Sequence, residues 1–463
     1  MSHIEKLRSI NPRDEDGVER VLLELTTDLM GGEKWGKVVA AAAIPLLVPL
    51  LGPRCSARVQ GHATWILCFL SCIAENLVKL VEAGAIPSLV SILKGTRGSA
   101  VVKELAAKAL RSITTGEAEN CLKIAAAGGI PPLVALLGSQ ISADLKDIAA
   151  GALMNLSFFE DNQVKIAAAG AIPRLVAILG TQSSVGLQDL AGTALMNLSC
   201  NEDNKVKIAA AGAIPRLVAM LGPQNSADLK CIAACVLRNL TCHEDNQIKV
   251  AAAGAIPYLV SMLGPQSSAR LKEVAAGVLR NTSDAADNHA KIVAAGAISP
   301  MVSLLAPTYL AEVQEVAAAT LGNLACNDKI NTVKIVAAGA IPPLVALLEL
   351  SRFSSEVQKA AANTLMILQF YDVNNTAKII AAGAIPPLVA LLAPQNPEEV
   401  QEIAAELLSN LSFNDDDICA SIQSAGGVSA LTQLASLSST DEAVRQTAVE
   451  ALAQIRMVSS LTC

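Results

Sequence analysis

The sequence predicts an all-α solenoid, a stack of helical repeats, and three observations lead to this prediction. The octet Ile-Ala-Ala-Ala-Gly-Ala-Ile-Pro occurs at 166–173 and again at 208–215. Variants of it end 42 to 44 residues apart along most of the chain. Ala and Leu, which favour helix, are abundant, and no segment shows the alternation of a strand. A helical period of this length is typical of solenoids, in which each unit packs only on its neighbours.

Composition and charge narrow the function classes. The net charge is −7 and no run of Lys or Arg forms a stripe. Nucleic acid is therefore not expected as a partner, because phosphate binding needs concentrated positive charge. The longest apolar stretch, 38–51, has 14 residues, and since a membrane span needs about 20, no span is expected. Peripheral membrane association stays open, and the lack of a secretory signal predicts a cytoplasmic or nuclear location.

The unit at 203–244 predicts three helices of increasing length. Asp203 or Asn204 is expected to cap the first helix, and Gly212 is expected to end it in the left-handed conformation. Pro215 is expected to begin the second helix, where its missing N–H costs nothing. The predicted helices are 205–211, 216–221, and a third that opens at Ser226 or Asp228 and ends near Cys242.

The string at 194–221, Ala-Leu-Met-Asn-Leu-Ser-Cys-Asn-Glu-Asp-Asn onward to Ala-Met-Leu, resembles an armadillo repeat. It is similar to the type found in plant U-box/armadillo proteins and in the yeast vacuolar armadillo protein. This resemblance covers about 35–457 and implies a right-handed superhelix of about ten three-helix repeats. Residues 1–34 are expected to form a capping segment and 35–463 the array, closed by a polar last repeat. The repeats are predicted to begin near residues 35, 76, 119, 161, 203, 245, 287, 330, 374 and 416.

One stripe along the third helices carries polar residues at fixed positions. An Asn recurs at Asn155, Asn197, Asn239, Asn281, Asn323 and Asn410. An acid recurs eight residues before five of these Asn residues and before Ser112, at Asp147, Asp189, Glu273, Glu315, Glu402 and Glu104. The amide offers one acceptor and two donors, which suits an extended peptide backbone, and the acids favour Lys or Arg on that peptide. Alternatively, an Asn late in a helix satisfies nearby carbonyl groups.

The resemblance implies that these six Asn residues hold extended peptides, as in similar armadillo proteins. The pattern fails at Phe69, Ser112, Ile367 and Gln454, so the groove is expected to be interrupted at both ends. The predicted function is a non-catalytic scaffold that binds an extended segment of a partner protein, basic segments among them.

Two alternatives follow from the same resemblance. One is a substrate-recognition component of a ubiquitin ligase, whose U-box another chain supplies because 1–34 is too short to hold one. The other is a nuclear-import adaptor. Similar adaptors carry Trp four residues before the groove Asn. Here that place holds small residues, Gly151, Thr193, Cys235, Gly277 and Ala319, and only Trp65 matches, where Phe69 replaces the Asn.

A second row places one Lys on each predicted first helix, eight residues before the end of the octet. It consists of Lys37, Lys79, Lys123, Lys165, Lys207, Lys249, Lys291, Lys334 and Lys378. It predicts either a basic edge for acidic partners or lipid headgroups, or a solvated face whose exposed ion pairs are weak.

The cysteines and histidines indicate neither a disulfide framework nor a catalytic centre. Cys231 and Cys235 share a helix face, but with His243 they supply only three ligands, fewer than a closed zinc site needs. They are interpreted as a local variation of the stripe. No nucleophile–base pair recurs, so neither an enzyme nor a cofactor is expected.

Overall fold

The computed structural model describes residues 2–11, 14–30, 37–95, 99–180, 182–349, 354–436 and 441–459. These residues form helices and connecting turns, with no strand among them. They group into two compact units, the first unit (Met1–Met220) and the second unit (Leu221–Cys463). The predicted all-α solenoid class is confirmed.

The first unit contains fifteen α-helices within the described residues and one 3₁₀ turn at Val48–Leu51. They are α1 (Ser2–Ser9), α2 (Glu15–Met30), α3 (Lys37–Leu47), α4 (Ala57–Ser71), α5 (Ala74–Glu82), α6 (Ala85–Lys94), α7 (Ala100–Thr114), α8 (Ala118–Ala126), α9 (Ile130–Ala135), α10 (Ala143–Leu156), α11 (Glu160–Ala168), α12 (Ala171–Ile178), α13 (Val185–Leu198), α14 (Glu202–Ala210) and α15 (Ala213–Met220). The long helices α4, α7, α10 and α13 pack on one another in that order.

The second unit contains sixteen α-helices within the described residues and one 3₁₀ turn at Ala286–Asn288. They are α16 (Ala227–Leu240), α17 (Glu244–Ala252), α18 (Ala255–Met262), α19 (Ala269–Thr282), α20 (His289–Ala294), α21 (Ile298–Leu304), α22 (Ala311–Ala325), α23 (Lys329–Ala337), α24 (Ile341–Ala346), α25 (Ser355–Tyr371), α26 (Asn375–Ala381), α27 (Ile385–Leu391), α28 (Glu398–Leu411), α29 (Asp416–Ser424), α30 (Gly427–Ser436) and α31 (Glu442–Ser459). The long helices α16, α19, α22, α25, α28 and α31 pack in sequence.

From the second repeat onward, the turn between the first two helices of a repeat depends on a glycine. These nine glycines have φ between 73° and 85°. Gly212 is one of them, with φ 77°, as predicted. A side chain at such a position is strained, so these nine turns require glycine.

The long helices in the first five full repeats and at α19 start at a serine cap. The hydroxyl of Ser226, for example, accepts the backbone N–H of Leu229 at 3.3 Å. The same cap occurs at Ser56, Ser99, Ser142, Ser184 and Ser268. Later long helices start without a side-chain cap, α22 at Leu310 and α28 at Pro397.

The predicted cap of the first helix at Asp203 or Asn204 is wrong by a few residues. α14 begins at Glu202, and Asn201 caps it by accepting the backbone N–H of Asn204 at 3.2 Å. Asn204 is buried, at 1% exposure. Glu202 and Asp203 thus lie in the first turn of α14, where their negative charges are stabilised by the positive end of the helix dipole.

In other repeats, the Asn at the position of Asn204 does not cap its own helix but binds the end of the preceding one. The sequence did not indicate this role. The Asn side-chain amide donates to a carbonyl oxygen at the end of the preceding long helix, six or seven residues earlier, at 2.9 to 3.3 Å. These residues are Asn76, Asn120, Asn162, Asn246, Asn288, Asn331 and Asn375. They satisfy carbonyl groups that a helix leaves unpaired at its C-terminus.

The core of each unit is aliphatic, built from buried Leu, Ile, Val and Ala of all three helices of a repeat. In the described part of the chain, no single helix combines the length and the apolar composition needed to cross a membrane. Only α5 and α6 meet that test as a pair, and the two are bent by 83° at their junction.

Candidate functional site

Two of the predicted Asn residues of the second unit bridge consecutive repeats. The side-chain nitrogen of Asn281, on α19, donates to the Thr241 hydroxyl at 3.2 Å and to the Arg238 carbonyl at 3.1 Å. The side-chain nitrogen of Asn323, on α22, donates to the Ser283 hydroxyl at 3.0 Å and to the Asp284 carboxylate at 2.8 Å. Each acceptor belongs to the end of the preceding long helix.

The first unit repeats this geometry. Asn155 donates to the Thr114 hydroxyl at 2.9 Å, and Asn197 donates to the Ser157 hydroxyl at 3.0 Å. Each hydroxyl in turn donates to a carbonyl oxygen three residues earlier, at 2.6 and 2.7 Å. The hydroxyl is therefore oriented with a lone pair toward the Asn. This partner, two residues beyond the stripe position of the preceding repeat, is a second ladder that sequence reasoning missed.

The anchored amides keep part of their hydrogen-bonding capacity. For Asn155, Asn281 and Asn323, every side-chain hydrogen bond found among the described residues uses the amide nitrogen. The amide oxygen of each accepts none from that part of the chain. These side chains are half-buried, whereas Asn197 is only 8% exposed. The geometry thus fixes the amide and leaves an acceptor for a further donor.

Asn239 and Asn410 are the other two members of the row in the second unit. Asn239 is half-buried on α16, one repeat before Asn281. Asn410 lies on α28, separated from Asn323 by α25, which carries Ile367 at the stripe position. Gln369 stands where most other repeats have Ser or Thr, and its side chain donates to the backbone carbonyl of Asn410 at 3.4 Å.

The predicted acids are half-buried at Asp147, Asp189, Glu273, Glu315 and Glu402. Two of them pair with arginines that the sequence analysis did not consider. Arg111 lies 3.0 Å from the Asp147 carboxylate, and Glu273 lies 2.7 Å from Arg270 and 3.9 Å from Arg238. Arg111 and Arg238 each directly precede a stripe position, and this regularity could have revealed them. Glu104 pairs with Lys108 on its own helix at 2.7 Å.

The long helices of the second unit carry opposite charges at the two ends of its stripe. Helices α16 and α19 contain five basic and two acidic residues, a formal charge of +3. Helices α22, α25 and α28 contain seven acidic residues and one Lys, a formal charge of −6. We call these the basic end and the acidic end.

Burial and electrostatic repulsion both act on Glu315, a carboxylate of the acidic end. Burial first, and then the nearby Glu356 carboxylate, raises the pKa of Glu315, although Arg280 opposes the shift. The one Lys of these three helices, Lys359, forms an ion pair with Glu399. The acidic end therefore holds more carboxylates than the cations of its own helices can neutralise.

The comparisons with known proteins agree with this architecture. Residues 159–425 match the family described as the plant U-box protein ARM repeat region, which covers more than half of the chain. The chain belongs to this armadillo-repeat family. The resemblance inferred from the octet is thereby confirmed.

Solved structures support the same assignment for this armadillo chain. It is similar to an engineered protein whose crystal structure comes from the Northeast Structural Genomics Consortium, with a TM-score of 0.76 and 31% sequence identity. The match covers 89% of this chain and 98% of the engineered one. No curated protein matches the chain.

Exposed aromatic residues of the armadillo chain lie beside the stripe. Phe158, Phe370 and Phe413 each follow a stripe position by three residues, and they are 61%, 72% and 66% exposed. Phe370 also packs edge-to-face on Tyr371, with ring centroids 5.1 Å apart. The acidic end thus combines carboxylates with two aromatic side chains. Aromatic residues make up only 2% of the sequence, so their position, not their number, is the signal.

The Lys row of the armadillo chain lies on the first helices, apart from the Asn stripe. Its members from Lys123 to Lys378 are exposed, and Lys79 is half-buried. The side chain of Lys37 lies outside the described residues. Lys123 pairs with Glu119 at 3.2 Å, the arrangement expected of a solvated helix face.

Proposed function

We propose that this chain is a non-catalytic scaffold that holds an extended segment of a partner protein along the Asn stripe. The observation that supports this most is the anchored amide. The amide nitrogen donates to the preceding repeat, so the side chain is already ordered before a ligand arrives. Little side-chain entropy is then lost on binding, and the oxygen remains for a peptide N–H. Armadillo-repeat membership supports a protein partner in general.

The charge pattern of the second unit supports a finer proposal about the partner. A segment that follows the stripe meets arginines on α16 and α19 and carboxylates on α22 and α28. Complementarity favours acidic residues at the basic end and Lys or Arg at the acidic end. The exposed Phe370 and Phe413 favour an apolar residue next to those basic ones. Within the second unit, the preference for Lys or Arg that was predicted from the acidic row thus holds mainly at the acidic end.

The test separates peptide binding from repeat packing. Random 12-residue peptides displayed on phage are selected on the full chain, and one selected peptide is synthesised with a fluorescent label. Fluorescence anisotropy then compares N281A/N323A with the matched control T241V/S283A. Both variants remove the hydroxyl–amide hydrogen bonds between repeats, but only the first removes the amides.

The expected result follows from the hydrogen bonds at stake. Two lost peptide hydrogen bonds, each worth about 1 kcal/mol, weaken binding by roughly tenfold to a hundredfold in N281A/N323A. In T241V/S283A the peptide affinity is expected to stay within about threefold, while the melting temperature falls in both variants. Equal loss of affinity in the two variants, or a library that yields no binder, would overturn the proposal.

A second candidate function is favoured by the family match alone. Members of the matched family are the repeat regions of U-box proteins, so the array could present a substrate to a ubiquitin ligase whose U-box lies on another chain. With ubiquitin, activating enzyme and conjugating enzyme, the chain by itself is expected to form no conjugates. Autoubiquitination of the 463-residue chain would contradict this and would place ligase activity in the chain itself.

A further inference from the structure

Three reactive groups meet between α16 and α19 in the second unit. Cys231 and Cys235 lie one helical turn apart on the same face of α16. The Cys235 side chain is only 5% exposed. From α19, the Arg270 guanidinium reaches the Cys235 sulfur at 3.9 Å. Cys231 itself is half-buried, so reagents in solution have access to it.

This environment stabilises the thiolate of Cys231. A hydrogen bond from the Cys235 thiol and the positive charge of Arg270 both favour a negative charge on the Cys231 sulfur. The hydrogen bond from Cys235 is the largest cause, and together with the Arg270 charge it lowers the pKa of Cys231 to about 6, against the opposing effects of burial and Asp228. The same hydrogen bond, followed by burial, raises the pKa of Cys235.

Other cysteines of the chain are more exposed than Cys231 and donate hydrogen bonds to the backbone. Cys200 and Cys242 are exposed, and each donates its S–H to a backbone carbonyl four residues earlier at 3.8 Å. These two exposed residues serve as internal references for the reactivity of Cys231.

We propose that Cys231 is an oxidation site, at which hydrogen peroxide converts the side chain to a sulfenic acid. The thiolate sulfur attacks one peroxide oxygen, so that an S–O bond forms while the O–O bond breaks. The leaving hydroxide takes a proton from the solvent and becomes water. Sulfur loses two electrons, and the peroxide gains them.

The helix keeps the neighbouring cysteine from closing a disulfide. Side chains four apart on a helix have Cβ atoms about 5–6 Å apart, whereas a disulfide needs about 3.5–4.5 Å. Cys235 therefore positions the thiolate by its hydrogen bond and does not trap the product while α16 is intact. The expected product is a sulfenic acid that dimedone can label, and not a Cys231–Cys235 disulfide.

The first experiment measures reactivity residue by residue in the full chain. Isotope-labelled iodoacetamide is applied at pH 6 and at pH 8.5, and peptides are quantified by mass spectrometry. With a pKa of about 6, compared with about 8.5 for an ordinary thiol, Cys231 has a larger thiolate fraction at pH 6. Its thiolate is, however, a weaker nucleophile, because nucleophilicity falls with pKa. Cys231 is then expected to react about tenfold faster than Cys200 and Cys242 at pH 6, and to lose this advantage at pH 8.5. Limiting peroxide with dimedone at pH 6 should label Cys231 first.

Two variants test the positioning groups. R270Q changes an exposed side chain and C235A removes the donor, and each is expected to slow Cys231 alkylation at pH 6 by about threefold to tenfold. R270K should restore part of the rate. Circular dichroism checks that the variants fold. If C235A does not fold, R270Q still tests the proposal. The proposal is overturned if Cys200 or Cys242 reacts as fast as Cys231 at pH 6, if the variants leave its rate unchanged, or if peroxide yields a Cys231–Cys235 disulfide.

Discussion

The basic end and the acidic end of the second unit differ although both are built from the same repeat. Helices α19 and α22 each present an Asn that is anchored to a hydroxyl of the preceding repeat. The charges beside those amides are opposite. At the basic end, Arg238 and Arg270 surround Glu273, whereas at the acidic end the Glu356 carboxylate repels that of Glu315. Packing constrains the buried faces of a repeat, whereas the exposed positions beside the stripe vary freely. The repeat therefore sets the geometry of the stripe, and the exposed positions set its charge.

Charge reversal at each end should have the largest effect. The probe is a fluorescent eight-residue peptide of alternating Lys and Arg. The variant E402K/E406K is expected to lower its affinity by about tenfold or more at 50 mM salt, because like charges at an interface repel. The mirror variant R238E/R280E should leave the affinity unchanged or raise it. Anisotropy titrations at low and high salt check both, and equal weakening by the two variants would remove the distinction between the ends.

Helix caps give a smaller effect on stability. Ser226 and Ser268 cap α16 and α19 through their hydroxyls, so S226A and S268A should each cost about 1 kcal/mol. Leu310 occupies the same position of α22 with extended backbone, φ −66° and ψ 152°, but offers no acceptor. L310S is therefore expected to stabilise the chain by about 0.5–1 kcal/mol.

Urea denaturation measures these differences. The control is S354A, because Ser354 precedes α25 without a side-chain cap hydrogen bond. Its effect is expected to be near zero. If S354A destabilised the chain as much as S226A, the loss would come from something other than the cap.

The smallest effect concerns Glu315 and depends on pH. Its folded-state pKa is raised, so the protonated side chain is stabilised by folding and the ionised one is destabilised. That penalty is present at pH 7 and disappears as the pH falls through the raised pKa toward the ordinary value. E315Q should therefore raise the melting temperature slightly at pH 7 and not at pH 4. E273Q, which breaks the pairing with Arg270, should lower it at pH 7, and an equal response of the two variants would contradict the comparison.

Much of the local structure followed from residue types at fixed spacing. Gly212 was predicted to adopt the left-handed conformation, which is confirmed, and the third helix was predicted to open at Ser226 or Asp228, of which Ser226 is the cap. The first helix was predicted to be capped by Asp203 or Asn204, which is wrong, because Asn201 and Asn204 are both good cap residues and only the packed repeat buries one of them. Local signals alone do not distinguish an amide that caps its own helix from one that pairs with a preceding helix.

The amino-acid sequence by itself determined the helical class, the period of the repeats, the turn glycines and the row of stripe residues, because each depends on neighbours within a few positions along the chain. Only the tertiary structure decided that Thr241 and Ser283 anchor Asn281 and Asn323, that Arg238 approaches Glu273, and that Arg270 approaches Cys235. Those partners lie 35 to 40 residues apart in sequence. They meet because helices of successive repeats stack, and a one-dimensional pattern does not show which side chains face each other across that stack.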